Sequence, residues 1–144
     1  MDQAGRQGLT ISWDAIGRGA ILTLSIAVPA IVIAEVIDAL ADLDPESNVT
    51  LLFYVVVVAG LVLGGWRAGV RAPDAPLTHG ALAALAAYVI IATATTALRI
   101  ASGDGADLVA VVFNAFMAVG AGILGGMVAG RRPRPEGSEA DRPG

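Results

Sequence analysis

Two acidic residues one helical turn apart are the first candidates for chemistry in this chain. Glu35 and Asp38 stand at the end of a long apolar run. A carboxylate in such a segment can bind a cation or exchange a proton, and because charge in hydrocarbon is costly, it suggests a functional use. Asp38 places the pair near the water boundary, so the competing interpretation is an exposed acid at the membrane interface.

Arg99 is the candidate ion-pair partner of these acids. It aligns with Asp38 in the internal repeat described below, so the two could meet if the halves of the chain face each other. The neighbouring polar side chains are Thr93, Thr95, Thr96 and Asn114. Thr can return its hydroxyl to its own helix and Asn can bond a neighbouring helix, which favours a structural role over a polar binding cavity.

The other candidate sets of metal-binding or catalytic side chains each lack members that the chemistry requires. The chain has no Cys and a single histidine, His79, so a metal site or a His-activated nucleophile has no partners. An alternating acidic stretch resembles the opening of a calcium loop but lacks the Gly and the bidentate Glu that complete one; it consists of Asp42, Asp44, Glu46 and Asn48. The sequence therefore predicts a non-enzymatic protein with no catalytic residue, no cofactor and no bound metal.

Four long apolar segments must position these residues. Hydrophobic residues make up 56% of the 144 residues and charged ones 15%, with a mean hydropathy of +0.72. The segments lie at about 19–40, 51–70, 80–99 and 108–130, and each approaches or exceeds the roughly 20 residues that span a bilayer. They are apolar all round rather than amphipathic. We therefore predict an all-α membrane protein with four transmembrane helices in a lipid bilayer.

The arginines predict the orientation. All but one fall on the same side of a four-span topology, namely Arg6, Arg18, Arg67, Arg71, Arg131, Arg132, Arg134 and Arg142. Arg99 alone falls on the other side, and cytoplasmic loops are the ones that carry excess Arg. The Lys-free, Ala- and Gly-rich composition is typical of a GC-rich bacterium. We predict a bacterial plasma-membrane protein with both termini in the cytoplasm.

The two halves of the chain resemble each other. A shift of 61 residues aligns the string LGGxxAGxR at 63–71 with the same string at 124–132. The predicted domain at 15–132 then consists of two hairpin repeats, at about 15–72 and 76–133, between a cytoplasmic tail at 1–14 and a disordered tail at 133–144. Because each repeat holds two spans, both insert with the same orientation, which predicts parallel hairpins related by a pseudo-two-fold axis.

Glycines at four-residue spacing predict how the helices pack. The candidates are Gly60, Gly64, Gly65, Gly69, Gly122, Gly126 and Gly130. Small-xxx-small pairs let helix backbones approach closely in a bilayer, where lipid tails are as apolar as Leu. We expect the second and fourth helices to cross through these faces. The same motif also serves contacts within a homo-oligomer or with another membrane protein.

The GGxxAG string, followed by basic residues and then by HGALAALAAYVI at 79–90, carries a resemblance to known proteins. It resembles small four-helix bacterial membrane proteins of uncharacterised function, common in actinobacteria. The resemblance covers residues 15–132 and rests mostly on Gly and Ala. It implies a fold and a membrane location, and it carries over no activity and no site residue.

A second, shorter resemblance involves Glu35. The string AEVI at 34–37 is similar to the first helix of small multidrug-resistance transporters, four-helix proteins with an essential glutamate there. The third predicted helix lacks the Trp and the Gly–Tyr pattern of that family. The sequence therefore favours a structural or interaction component of the membrane, with no nucleic-acid partner. The alternative is a small transporter or channel in which Glu35 couples an ion or proton.

The predicted topology can be tested by thiol labelling in intact cells. The chain has no Cys, so single cysteines at Ser47 and Ser138 report their own positions. Because Ser47 is expected outside and Ser138 inside, an impermeant thiol reagent should label only the first before the membrane is permeabilised. Equal labelling of both positions in intact cells would contradict the orientation.

Overall fold

A computed structural model describes residues 11–41, 48–103 and 105–131 as four helices. Helix α1 spans Trp13–Ala41, α2 spans Asn48–Arg71, α3 spans Pro76–Ala101 and α4 spans Leu108–Gly130. Each is long and apolar enough to cross a membrane, and the described ranges contain no strand. The predicted all-α architecture with four membrane-spanning helices is confirmed.

Local capping explains where three of the helices begin. Ser12 precedes α1, and its hydroxyl accepts a hydrogen bond from the Ala15 N–H at 3.4 Å. Pro76 stands in the first turn of α3, where its missing N–H costs nothing. Asp107 caps α4, since its carboxylate accepts from the Ala110 N–H at 3.0 Å. These caps start α1 and α3 several residues before their apolar segments.

Some predicted features fall outside the described ranges. They are most of the N-terminal tail, the acidic residues Asp42, Asp44 and Glu46, and the tail from residue 132 onward. The interpretation of those segments therefore rests on the sequence alone. The orientation across the membrane likewise stays a prediction.

The four helices pack tightly over only half of their length. Buried residues occur within 15–30 of α1, 60–69 of α2, 79–87 of α3 and 118–129 of α4. These segments meet at the end where α1 and α3 begin and α2 and α4 end, and we call them the closed half. The other half, the open half, comprises 31–41, 48–59, 88–101 and 108–117, and none of its residues is buried.

The core of the closed half consists of small residues. Nearly all of its buried hydrophobic residues are alanines, and only Ile16 and Leu61 are larger. The largest fully buried side chains are polar, His79 and Thr23. Because so little side-chain volume separates the helices, their backbones make the contacts directly.

Helices α1 and α2 meet through Thr23 and two glycines of α2. The Thr23 hydroxyl donates a hydrogen bond to the Gly60 carbonyl at 3.2 Å. Gly64 lies against both Thr23 and Gly19, and a Cβ on Gly19 would lie 2.6 Å from the Gly64 carbonyl oxygen. Gly60 packs on Ile26 as well. Gly60 and Gly64 therefore contact α1, and not α4 as the sequence pattern led us to expect.

Helices α2 and α4 cross through the neighbouring face of α2. A Cβ on Gly65 would lie 2.6 Å from the Gly122 carbonyl oxygen, and one on Gly69 would lie 2.8 Å from the Ala129 methyl. Gly126 is also within contact of Gly69. This crossing follows the predicted glycine spacing, with Gly65 and Gly69 contributed by α2 and Gly122 and Gly126 by α4.

The two glycines of α4 that contact α2 also contact α3. Gly122 lies against the Gly80 carbonyl and the Ala84 methyl, and Gly126 lies against the Pro76 carbonyl. Gly130, at the exposed end of α4, has only the Pro76 ring near it, 3.3 Å from the position of a Cβ. Gly122 and Gly126 therefore serve two neighbours at once.

The contacts depart from a two-fold relation between the hairpins. Among the described residues α2 contacts α3, whereas α1 and α4 make no contact. A two-fold axis would require both pairs or neither. The glycines differ in the same way: Gly64 faces α1, but Gly125, its counterpart in the repeat, faces α2. The repeat in the sequence is therefore packed differently in its two copies.

We predict that Gly125→Ala destabilises the protein. The new Cβ would meet backbone atoms of Val62, Gly65 and Trp66, which cannot move aside as a side chain can. Overpacking of this kind costs about 1–3 kcal/mol. Thermal or denaturant unfolding in mild detergent measures the change in free energy of unfolding.

Gly120→Ala is the matched control, because a Cβ on Gly120 of the same helix has nothing within 4 Å. Replacing a helical Gly by Ala at an open site should leave stability unchanged or raise it by up to about 1 kcal/mol. If Gly125→Ala and Gly120→Ala changed the free energy of unfolding equally, close backbone contact would not be what stabilises the bundle.

Candidate functional site

The first cleft of the open half lies between α1 and α2. It has a volume of about 390 Å³ and contains Glu35 and Asp38 beside the aromatic rings of Phe53 and Tyr54. Both acids are exposed. The carboxylates are negatively charged and the faces of aromatic rings are electron-rich. The two kinds of side chain together therefore attract a cationic group.

The second cleft holds Arg99 and lies between α3 and α4. Its volume is about 220 Å³, and its polar lining is Thr95, Thr96, Arg99, Asp107 and Asn114. The Thr95 hydroxyl donates back to the Ile91 carbonyl at 3.0 Å, as expected for Thr in a membrane helix. Arg99 itself is exposed.

Tyr88 ties α3 to α4 at the base of this cleft. Its hydroxyl donates a hydrogen bond to the Val111 carbonyl at 2.6 Å. That carbonyl lies in the first turn of α4, so the bond joins α3 to the outer end of α4 within the open half.

A third cleft, of about 760 Å³, is also formed by α3 and α4. Its walls are almost entirely apolar and include Leu85, Val89, Val112 and Phe116. It shares Tyr88, Ala92, Thr96 and Val111 with the Arg99 cleft. An apolar groove of this kind at membrane depth accepts hydrocarbon or an apolar helix face.

The structure does not bring Arg99 to the acids with which we expected it to pair. Glu35 and Asp38 line one cleft and Arg99 lines another, and the two clefts share no residue. Within the described part of the chain, ion pairs join only Asp14 to Arg18 and Arg71. All three charged side chains are exposed, and they lie at different edges of the bundle.

His79 has a structural environment in the closed half. It is buried, its Nε2 accepts a hydrogen bond from the Ser12 N–H at 2.9 Å, and its Nδ1 lies 2.9 Å from the Ala75 carbonyl. Since a carbonyl accepts and an amide donates, the ring is the neutral tautomer with the proton on Nδ1. His79 thereby joins the start of α1 to the start of α3.

Charged groups at the closed end form a small surface network. The Arg18 Nε lies 2.8 Å from the Asp14 carboxylate one turn earlier, and an Arg71 nitrogen of α2 lies 3.8 Å from the same group. All three side chains are at least a third exposed, so these pairs contribute little to stability. Trp13, 76% exposed at the same end, suits the membrane interface.

Several packing residues were missed in the sequence. Gly19 and Thr23 of α1, Gly80 of α3 and Gly125 of α4 lie at helix crossings, although the sequence analysis singled out other glycines, all in α2 and α4. The available signal was the same small-xxx-small spacing, which occurs at Gly19 and Thr23 and again at Gly80 and Ala84.

The comparisons with known proteins point to one family. A family model described as "Protein of unknown function (DUF3792)" matches residues 12–129, which is most of the chain and nearly the whole of the four helices. No curated protein and no solved structure matches the chain. The chain therefore belongs to this family of unknown function, as a multi-pass integral membrane protein with four membrane-spanning helices.

Proposed function

We propose that this protein is a non-enzymatic component of the bacterial plasma membrane that associates with another membrane-embedded protein chain. The association uses the open half of the bundle. Both termini lie in the cytoplasm in this proposal, so the open half occupies the outer leaflet.

One observation carries the proposal: every buried residue of the four helices belongs to the closed half. The open half instead contains clefts with polar groups at or near membrane depth. Asn114 has no side-chain hydrogen bond to any described residue, and neither does Thr93. Polar side chains of this kind bond across helices in membranes, so they favour a second chain as their partner.

The chemistry available to the chain supports a non-enzymatic role. Its only histidine has both ring nitrogens engaged with backbone groups, and it has no Cys. Among the residues that the structure describes, no three His, Asp or Glu side chains converge on a metal position. Catalysis would need a nucleophile–base pair or a metal, and these residues offer neither.

A photo-cross-linking amino acid at Phe113 tests the proposal. Phe113 lies in the open half of α4 and is 61% exposed. If another chain covers this half, irradiation in native membranes should produce protein adducts, which gel electrophoresis and mass spectrometry detect after purification in mild detergent.

The matched control is the same substitution at Leu124 in the closed half. Leu124 is 56% exposed and lies eleven residues, or three turns, further along the same face of α4. We expect lipid adducts and no protein adduct there. Protein adducts at neither position would contradict the proposed association.

A second candidate function, a small ion- or proton-coupled transporter, is favoured by the cleft that contains Glu35. The neighbouring Asp38, Phe53 and Tyr54 could hold a cation there. The position of Glu35 argues against it, because Asp38 follows within one turn and places Glu35 near the water boundary.

Glu35→Gln separates the two candidate functions. It preserves the shape of the side chain and removes its charge. We expect vesicles containing either form to show the same proton flux as vesicles without protein, and stability to change by less than about 1 kcal/mol because the acid is exposed. A pH-sensitive dye inside the vesicles reports the flux. A flux carried by the wild type and lost in Glu35→Gln would establish the transporter instead.

A further inference from the structure

Opposite charges lie at separate edges of the open half. Glu35 and Asp38 belong to the α1–α2 edge, and Arg99 belongs to the α3–α4 edge. All three side chains are exposed, and none forms an ion pair with another described residue. Within the residues that the structure describes, the bundle therefore carries an acidic edge and a basic edge that do not pair with each other.

The two edges lie at about the same depth. In the closed half Ser12 bonds to His79 and Gly19 packs on Ala83, so α1 and α3 run in the same direction in a fixed register. Arg99 follows Ala83 by sixteen residues, and Glu35 follows Gly19 by the same number. At equal rise per residue the guanidinium and the carboxylate reach about the same level of the bilayer.

Equal depth matters because a membrane fixes both the tilt and the height of its proteins. Two copies with the same orientation differ only by sliding and rotating in the membrane plane. Sliding keeps Arg99 of one copy level with Glu35 of the other. Near the membrane, where water screens less, an Arg–carboxylate pair is strong and directional, and its two parallel hydrogen bonds fix the contact.

We propose that the partner at the open half is a second copy of this chain, with Arg99 of one copy paired to Glu35 and Asp38 of the next. This inference rests on the proposed function and names the partner of the same surface. Phe53 and Tyr54 beside the acids provide an aromatic wall for the incoming guanidinium.

The assembly that follows is heterologous, because the acidic edge and the basic edge are different surfaces. Such contacts repeat from copy to copy and form either a closed ring or an open row in the membrane. Asp107 lines the Arg99 cleft but its carboxylate is engaged as the cap of α4. Among the described residues Asp107 forms no ion pair with Arg99, so within that part of the chain the guanidinium has no ionic partner.

Charge reversal in two differently tagged copies tests the proposal. One variant is Arg99→Glu and the other is the double change Glu35→Arg with Asp38→Asn. Each variant expressed alone should co-purify with itself at least about tenfold less than the wild type, because like charges then face each other across the contact. The two variants expressed together should co-purify within about threefold of the wild type, since their edges are complementary again.

The mixed experiment distinguishes pairing between copies from pairing within one. A pair inside each chain would stay broken in both variants, and mixing them would restore nothing. Failure of the mixture to recover, or wild-type association by the single variants, would overturn the proposal. Arg67→Glu, a charge reversal at an exposed position of the closed half, should leave co-purification unchanged.

The co-purification experiment can exclude a second copy as the partner without excluding the proposed function. If tagged wild-type copies do not co-purify while Phe113 still cross-links to a different protein, the second copy is excluded and association through the open half stands. Unchanged unfolding of each variant in detergent shows that the fold is intact, as expected for exposed side chains.

Discussion

Backbone contact between helices is the constraint on which the structure depends. Lipid tails are as apolar as the helices, so transfer from lipid to protein gains little, and association must come from close fit. In the closed half the Gly125 position leaves no room for a Cβ against the α2 backbone, and Gly19 leaves none against Gly64. An alanine core follows from this, since larger side chains would hold the backbones apart.

The same reasoning explains why the open half does not close. Its α2 segment reads LLFYVVVV at 51–58, and its α4 segment carries Phe113 and Phe116 in place of glycines. Among the described residues of these two segments none is glycine except at their boundary with the closed half, so no glycine face brings the backbones together there. The clefts with Glu35 and with Arg99 lie in this half, where no described residue is buried.

The sequence predicts the helices well because hydropathy alone determines which segments can lie in lipid. It predicts the helix pairs less well. Gly64 and Gly65 are neighbours in the chain, but they point about 100° apart on a helix, so one meets α1 and the other meets α4. The spacing of glycines along one helix shows that the helix has a face of small residues. It does not show which neighbouring helix packs against that face.

The candidate ionic residues were visible in the sequence, but their separation was not. Asp38 and Arg99 align in the repeat, which suggested that they meet. Thr23 and its counterpart Ala84 show why the repeat misleads: Thr23 bonds to Gly60, whereas Ala84 has no hydroxyl and packs under Gly122. Small differences of this kind rotate one hairpin relative to the other, and no aligned string records that rotation.

The unequal packing of the two halves has a consequence for the lipid itself. Helices that converge in one leaflet and diverge in the other displace unequal areas of the two monolayers. A molecule of that shape fits best where the leaflet around its wide end is stretched relative to the opposite leaflet, as it is on the outside of a bend. We therefore expect a bundle with an alanine core in one half and clefts in the other to be sensitive to the curvature of the bilayer around it.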